Sequence, residues 1–232
     1  MRRPGLLQFN TIKSLFLYLI VITLSGCVDL SGSRSTYTAI NHVSSANKKV
    51  PIKKGQVHTM RGGLGIFSIG MNQLRDKVSE RYQMQAYSTM WYNAGDVTRF
   101  IVTNYYKEKV HTPIILVGHS LGANEQIKVA RNLNALGIPV ALLVTVDAVS
   151  QTIIPPNVHY ALNVYKPGYV PMFSGLKLRA VNPDKTIINN INVNSLKEVQ
   201  VNHFTIDKDK VVQAIILDKV DKVLIDGKQK YA

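Results

Sequence analysis

Beyond Gly55, apolar and polar positions repeat with two distinct periods, and the two periods take turns along the chain. Gln56–Met60 reads as a short strand running into a glycine-rich stretch, Arg61–Gly65. Met71, Leu74 and Val78 then recur three and four apart, which predicts a helix through Tyr82. Met84–Ser88 reads as a second strand, and Asn93–Asp96 introduces a helix through Lys109. Pro113 opens the apolar strand Ile114–Val117. A further helix follows Ser120, carries Ile127, Ala130 and Leu133 on one face, and stops near Gly137 as its C-cap.

Ile138–Ser150 is almost continuously apolar, as a strand covered on both faces should be. Val158–Lys166 and Thr186–Val193 are strand-like, and Asp207–Leu224 closes the chain as a helix. Strands alternating with helices predict an α/β fold with a mostly parallel central sheet flanked by helices. Ligand sites in such sheets lie at the carboxyl ends of the strands. Chemistry is therefore expected where Met60, Val117 and Val146 hand over to their loops.

Gly118-His119-Ser120-Leu121-Gly122 sits at one of those handovers, between strand and helix. A serine there occupies a sharp turn that lifts its hydroxyl off the sheet, and side chains two residues either side would strike backbone. The following helix N-terminus supplies backbone N–H groups and a positive dipole end for an oxyanion. The Leu121 N–H is one candidate donor, and Gly63 or Leu64 in the glycine-rich stretch is the candidate second.

A serine nucleophile needs a base, and an acid to orient that base. His203 lies between the last strand-like segment and the final helix, where a loop would carry it. His159 falls inside a strand and should point into a sheet face, and His119 within the elbow reads as a packing residue. His42, His58 and His111 fall in the N-terminal stretch, the first strand and a surface loop. For the acid, Asp147 ends an apolar strand beside the elbow. Asp184, in a turn, and Asp207, at the start of the last helix, are the competitors.

Residues 118–150 with "HFTID" (His203–Asp207) resemble the core of the thioesterase-type α/β hydrolases. The likeness spans roughly residues 56 to 220. It implies a compact α/β-hydrolase fold, and the sequence departs from the family in showing no long helical lid insertion, so no large lid domain is expected. It also implies a triad in which Ser120 is the nucleophile, Asp147 the orienting acid and His203 the general base. The chain departs from that family's pattern at Ala123-Asn124, where a glycine or another small residue usually follows the elbow.

The N-terminal segment changes the setting. Arg2, Arg3 and Lys13 precede the apolar stretch Ser14–Leu24, about half of the roughly 20 residues a membrane-spanning helix needs. Leu24-Ser25-Gly26-Cys27 then resembles the lipobox of bacterial lipoproteins, with Cys27 as the acylated residue. The alternative is a signal-anchor helix with an incidental cysteine. The organisation expected is a signal peptide over 1–26, a lipid-anchored flexible tether over 27–54 and the hydrolase domain over 55–232. Val28, with no aspartate after the cysteine, implies by that resemblance the outer membrane, facing the periplasm.

Cys27 has no partner in the chain, so an intramolecular disulfide is excluded. A net charge of +14 suits anionic headgroups or envelope polymers, and no nucleic-acid motif accompanies it. No metal-ligand cluster or phosphate loop stands out, so neither a metal nor another cofactor is expected. The function expected is hydrolysis of an ester or thioester, with lipid-like substrates among the options. The alternative is a non-catalytic envelope lipoprotein that uses the fold for binding or scaffolding. In Gln151–Gly175, Tyr165, Tyr169 and Phe173 are the candidate walls of an acyl pocket. Nothing in the sequence bears on oligomeric state.

Overall fold

The computed structural model describes residues 55–63, 65–109 and 111–230, with side-chain surroundings in the last helix described as far as Ile225. The expected signal peptide over 1–26 and tether over 27–54, with Cys27 and His42, and Leu64 lie outside the described residues.

Six parallel strands form the central sheet: β1 (Gln56–Arg61), β2 (Gln85–Met90), β3 (Ile114–His119), β4 (Val140–Val146), β6 (Val158–Tyr165) and β8 (Ile187–Asn192). Two short strands, β5 (Ile153–Ile154) and β7 (Arg179–Ala180), pair separately. Strand order in the main sheet is β2-β1-β3-β4-β6-β8, and every neighbouring pair is parallel. Among the described residues four helices connect or cover it: α1 (Ile69–Tyr82), α2 (Ala94–Lys107), α3 (Leu121–Ala135) and α4 (Lys210–Lys230). This is a compact α/β-hydrolase fold.

Strand alternation explains the layers. Ile115 and Val117 of β3 face one core with Met71, Leu74 and Val78 of α1 and Val212, Ile216 and Val220 of α4. Ile114 and Leu116 face the other core with Val97 and Ile101 of α2 and Ile127, Ala130 and Leu133 of α3. A sheet buried on both faces favours apolar residues at nearly every position; β4 is buried throughout, and its one polar residue, Thr145, donates to Asn163. Full burial of one such aliphatic side chain is worth about 1.5–3 kcal/mol, so the layers hold the sheet edge firmly.

Helix ends follow local chemistry. α3 stops because Gly137, at φ +69°, turns left-handed, and the Ile138 N–H donates to the Leu133 carbonyl. α4 begins later than the sequence pattern suggests. Asp209, not Asp207, caps it, with its Oδ1 accepting from the Val211 and Val212 N–H groups.

The chain runs from β1 out to β2 and returns past β1 to β3, so the sheet order reverses between β1 and β3. Loops leaving those two strands diverge and open a crevice at their carboxyl ends. Between β4 and β8, among the described residues, the chain adds β6, the short strands β5 and β7 and one 3-10 turn, Pro171–Phe173, but no α-helix.

Candidate active site

Ser120 sits at that reversal, on the step from β3 into α3, with φ 57° and ψ −124°. A serine in this region of backbone space is strained and persists only where its surroundings impose it. The surroundings are specific. A Cβ on Gly118 would stand 2.4 Å from the Gly122 carbonyl oxygen, and one on Gly122 would stand 2.3 Å from the Met60 carbonyl oxygen. Both glycines are therefore required for the elbow to close against itself and against β1. The Ser120 N–H is anchored to the Val146 carbonyl at 2.9 Å.

His203 and Asp147 converge on this serine. The Ser120 hydroxyl donates to His203 Nε2 at 2.8 Å, and His203 Nδ1–H donates to Asp147 Oδ2 at 2.9 Å. A carboxylate can only accept, so this direction is the self-consistent one. All three side chains are buried, so the His203–Asp147 hydrogen bond lies out of water. Asp147 itself has φ 52°, an unusual conformation that turns the chain sharply after β4. Its other oxygen accepts the Lys166 N–H at 2.7 Å. Gly175 packs directly against that carboxylate, and a Cβ there would lie 2.0 Å from Asp147 Oδ1.

His119 does more than pack. Its Nε2–H donates to the His203 carbonyl at 2.9 Å, while its Nδ1 accepts from the Ser68 hydroxyl at 2.8 Å. Ser68 Oγ in turn accepts the Gly62 N–H at 3.1 Å. One imidazole thus joins the loop after β1, the start of α1 and the loop carrying His203. Burial, followed by the neighbouring His203, drives its pKa down to about 3, so the ring is neutral as the two-sided hydrogen bonding demands.

Asn124, where the sequence departs from the usual elbow pattern, collects the N–H groups of Val149, Ser150 and Gln151 on its Oδ1, at 3.2 to 3.3 Å. It pins the loop following Asp147 to the first turn of α3. Asp207 is fully buried and accepts the Gly70 N–H at the start of α1, at 2.8 Å. Burial raises its pKa to about 6. None of these second contacts is visible in a local pattern, because each pairs residues far apart in the chain.

Of the other candidates, Leu121 is the first residue of α3, so its N–H has no acceptor within that helix. Gly62 lies against it closely enough that a Cβ would come within 2.9 Å of the Leu121 nitrogen. Gly63, at φ +51°, lines the same cavity as Ser120 and Leu121. The remaining histidines stand elsewhere. His159 is exposed on β6 and lines a cleft of about 250 Å³ at the opposite edge of the sheet, not buried in a sheet face as its strand position suggested. His58 is buried beside Gln56 and stacked on Tyr87, and His111 stacks on Tyr105. Asp184 stays in its turn, with its N–H donating to Asn182.

The cavity over Ser120 measures about 170 Å³. Phe67, Met172, Phe173 and Phe204 wall it, with Phe204 ring centroids 5.0 Å from both Phe67 and Phe173. Of the three wall residues read from the sequence, Phe173 is in place. Tyr165 is buried behind the site, and Tyr169 is fully exposed, because the Pro171–Phe173 turn carries it outward. Among the described residues no cluster of His, Cys, Asp and Glu could hold a metal ion.

No protein-family model matches the chain, and no curated protein matches it. Solved structures resemble it at low identity. A cutinase-like protein from Cryptococcus sp. is 14% identical over 77% of this chain and 98% of its own, with a TM-score of 0.46. Human thioesterase 2 is 9% identical over 74% and 97%, with a TM-score of 0.45. The NocB thioesterase domain from the nocardicin cluster is 10% identical over 76% and 93%, with a TM-score of 0.44. These are likenesses of fold.

Proposed function

We propose that the protein is a serine hydrolase of esters or thioesters, acting through an acyl-enzyme on Ser120. The observation that carries the reading is the unbroken hydrogen-bond run from the Ser120 hydroxyl through His203 to Asp147, at the floor of an apolar cavity. Three groups in that order do what a lone hydroxyl cannot.

Ser120 Oγ attacks the carbonyl carbon while His203 Nε2 takes the hydroxyl proton. Asp147 stays ionised and stabilises the imidazolium so formed. The carbonyl oxygen, now an oxyanion, is held by the N–H groups of Leu121 and Gly63, at the positive end of α3. The tetrahedral intermediate collapses, and the leaving alcohol or thiol takes the proton from His203. Water then adds to the acyl-enzyme with His203 as base, and the free acid departs. No step calls for a metal or a cofactor.

The setting belongs to the same proposal. Acylation of Cys27 would leave the domain on a tether at the outer membrane, facing the periplasm. Incorporation of labelled fatty acid into the wild type and not into Cys27→Ser tests that placement.

A fluorophosphonate probe tests the chemistry. The full chain is expected to label, and Ser120→Ala and His203→Ala are each expected to lose labelling. A folded wild type that stays unlabelled would overturn the catalytic reading and leave the fold to a binding role.

A further inference from the structure

The rim of the Ser120 cavity is unusually apolar for a surface in contact with water. Phe67, Leu121, Met172, Phe173 and Phe204 all line the cavity, yet each is between 36% and 56% exposed. Their chain neighbours Ile66, Ile69 and Val170 are 45–60% exposed, and Tyr169 is wholly so. Three loops, those after β1, after β6 and around His203, therefore meet at one edge of the sheet and present apolar groups outward. Scattered exposed apolar residues need no explanation, but a contiguous group around a mouth marks a surface meant to be covered.

Charge on the same edge identifies what covers it. Arg61 ends β1, Lys166 follows β6, Lys177 follows the Pro171–Phe173 turn, and Lys208 lies just beyond His203. None of these four forms an ion pair among the described residues. Of the acids in the neighbouring loops, Asp147 and Asp207 are buried and turned inward, Asp209 is half-buried with its Oδ1 capping α4, and Glu198 is exposed beside Lys197. An apolar centre with unpaired cations around it matches the boundary of an anionic lipid layer, where acyl chains meet negative headgroups.

Cavity size points the same way. About 170 Å³ has the volume of roughly six water molecules. It lies below the roughly 300 Å³ at which pockets begin to enclose a drug-sized ligand. A carbonyl and a few carbons fit, and the rest of a long chain must lie outside, against the apolar rim or still among its neighbours.

We propose that the mouth of the Ser120 cavity is a lipid-docking face, which seats on an anionic lipid surface and takes its ester from that surface. The source of substrate rests on the hydrolase reading; the docking itself does not. A permanent protein partner would seal the mouth, whereas a fluid lipid layer supplies substrate as it covers.

Cys27 is the single cysteine, so full-length Cys27→Ser carrying Val170→Cys takes one bimane label on the rim. The same background with Lys185→Cys places the label beside the cleft at the opposite edge. With vesicles of brominated phosphatidylglycerol and phosphatidylcholine, bimane on the rim is expected to lose at least half its fluorescence, and bimane at the opposite edge to stay unchanged. Quenching on the rim is expected to fall at least threefold with vesicles of brominated phosphatidylcholine alone. Equal quenching at the two edges, or none on the rim, would overturn the proposal and give the apolar rim to a protein partner. Equal quenching with neutral and anionic vesicles would overturn the role of the cations. The rim signal is read again in Ser120→Ala. It should persist there, so a failure of the hydrolase reading and a failure of docking are separate results.

Discussion

Ser120 and Asp147 both stand at positive φ, where a residue with a Cβ is uncomfortable, and both sit at the carboxyl end of a strand. The strain is local, but the atoms that impose it are not. Gly175 shows this most directly, since it leaves just enough room for the Asp147 carboxylate. Gly175→Ala is expected to push that carboxylate out of line with His203 and lower kcat on a soluble ester by on the order of 10²-fold. Far-UV circular dichroism should be unchanged, because Gly175 lies in a loop. Wild-type kcat in a folded Gly175→Ala would show that the carboxylate's position is not critical. Gly118, Gly122 and Ser120 were legible as a motif because five adjacent residues carry it. Gly175 was not, because its partner lies 28 positions earlier.

At the scale of elements, the site is a junction of loops, and His119 holds three of them at once. Its sequence position suggested packing, yet both ring nitrogens are engaged. His119→Ala leaves the Ser68 hydroxyl and the His203 carbonyl buried without their partner. Each such orphan costs about 1–3 kcal/mol, so a clear fall in urea midpoint is expected. Loss of activity should exceed what unfolding explains, because the same change frees the backbone of His203; kcat measured well below the new midpoint separates the two. An unchanged kcat there would confine His119 to stability. Sequence periodicity placed the sheet strands and the helices, with ends displaced by a few residues. Caps explain the displacement at α4, where Asp209 and not Asp207 receives the first N–H groups.

At the scale of the whole molecule, three buried titratable groups set opposing pH dependences. Burial holds His58 and His119 down at about 3, against an ordinary 6.5. The unfolded chain therefore binds more protons between those values, and stability is lost as pH falls from about 6.5 toward 3. Asp207 runs the other way, raised from 3.8 to about 6 by burial. Its contribution is complete below 3.8 and is lost as pH rises through 6. Two histidines outweigh one carboxylate, so urea midpoints should fall between pH 6.5 and 4. Asp207→Asn is expected to raise the midpoint at pH 8 and not at pH 4. A midpoint at pH 8 unchanged or lowered by that substitution would mean that the ionised carboxylate is stabilised by its Gly70 contact more than burial costs it.

What the sequence determined on its own was everything carried by neighbours in the chain. That covers the alternation of period-two and period-3.6 segments and the glycines flanking Ser120. These follow from backbone geometry and side-chain periodicity, which act over a few residues. Tertiary structure alone decided the rest: that Asp147, not Asp184 or Asp207, meets His203; that Asn124 gathers three N–H groups; and that Tyr169 faces outward while Phe67 and Phe204 wall the cavity. The reason is the reversal of strand order between β1 and β3, which brings loops distant in sequence to one edge. A hydrogen bond at that edge is short-ranged in space and long-ranged in the chain, so no local pattern encodes it.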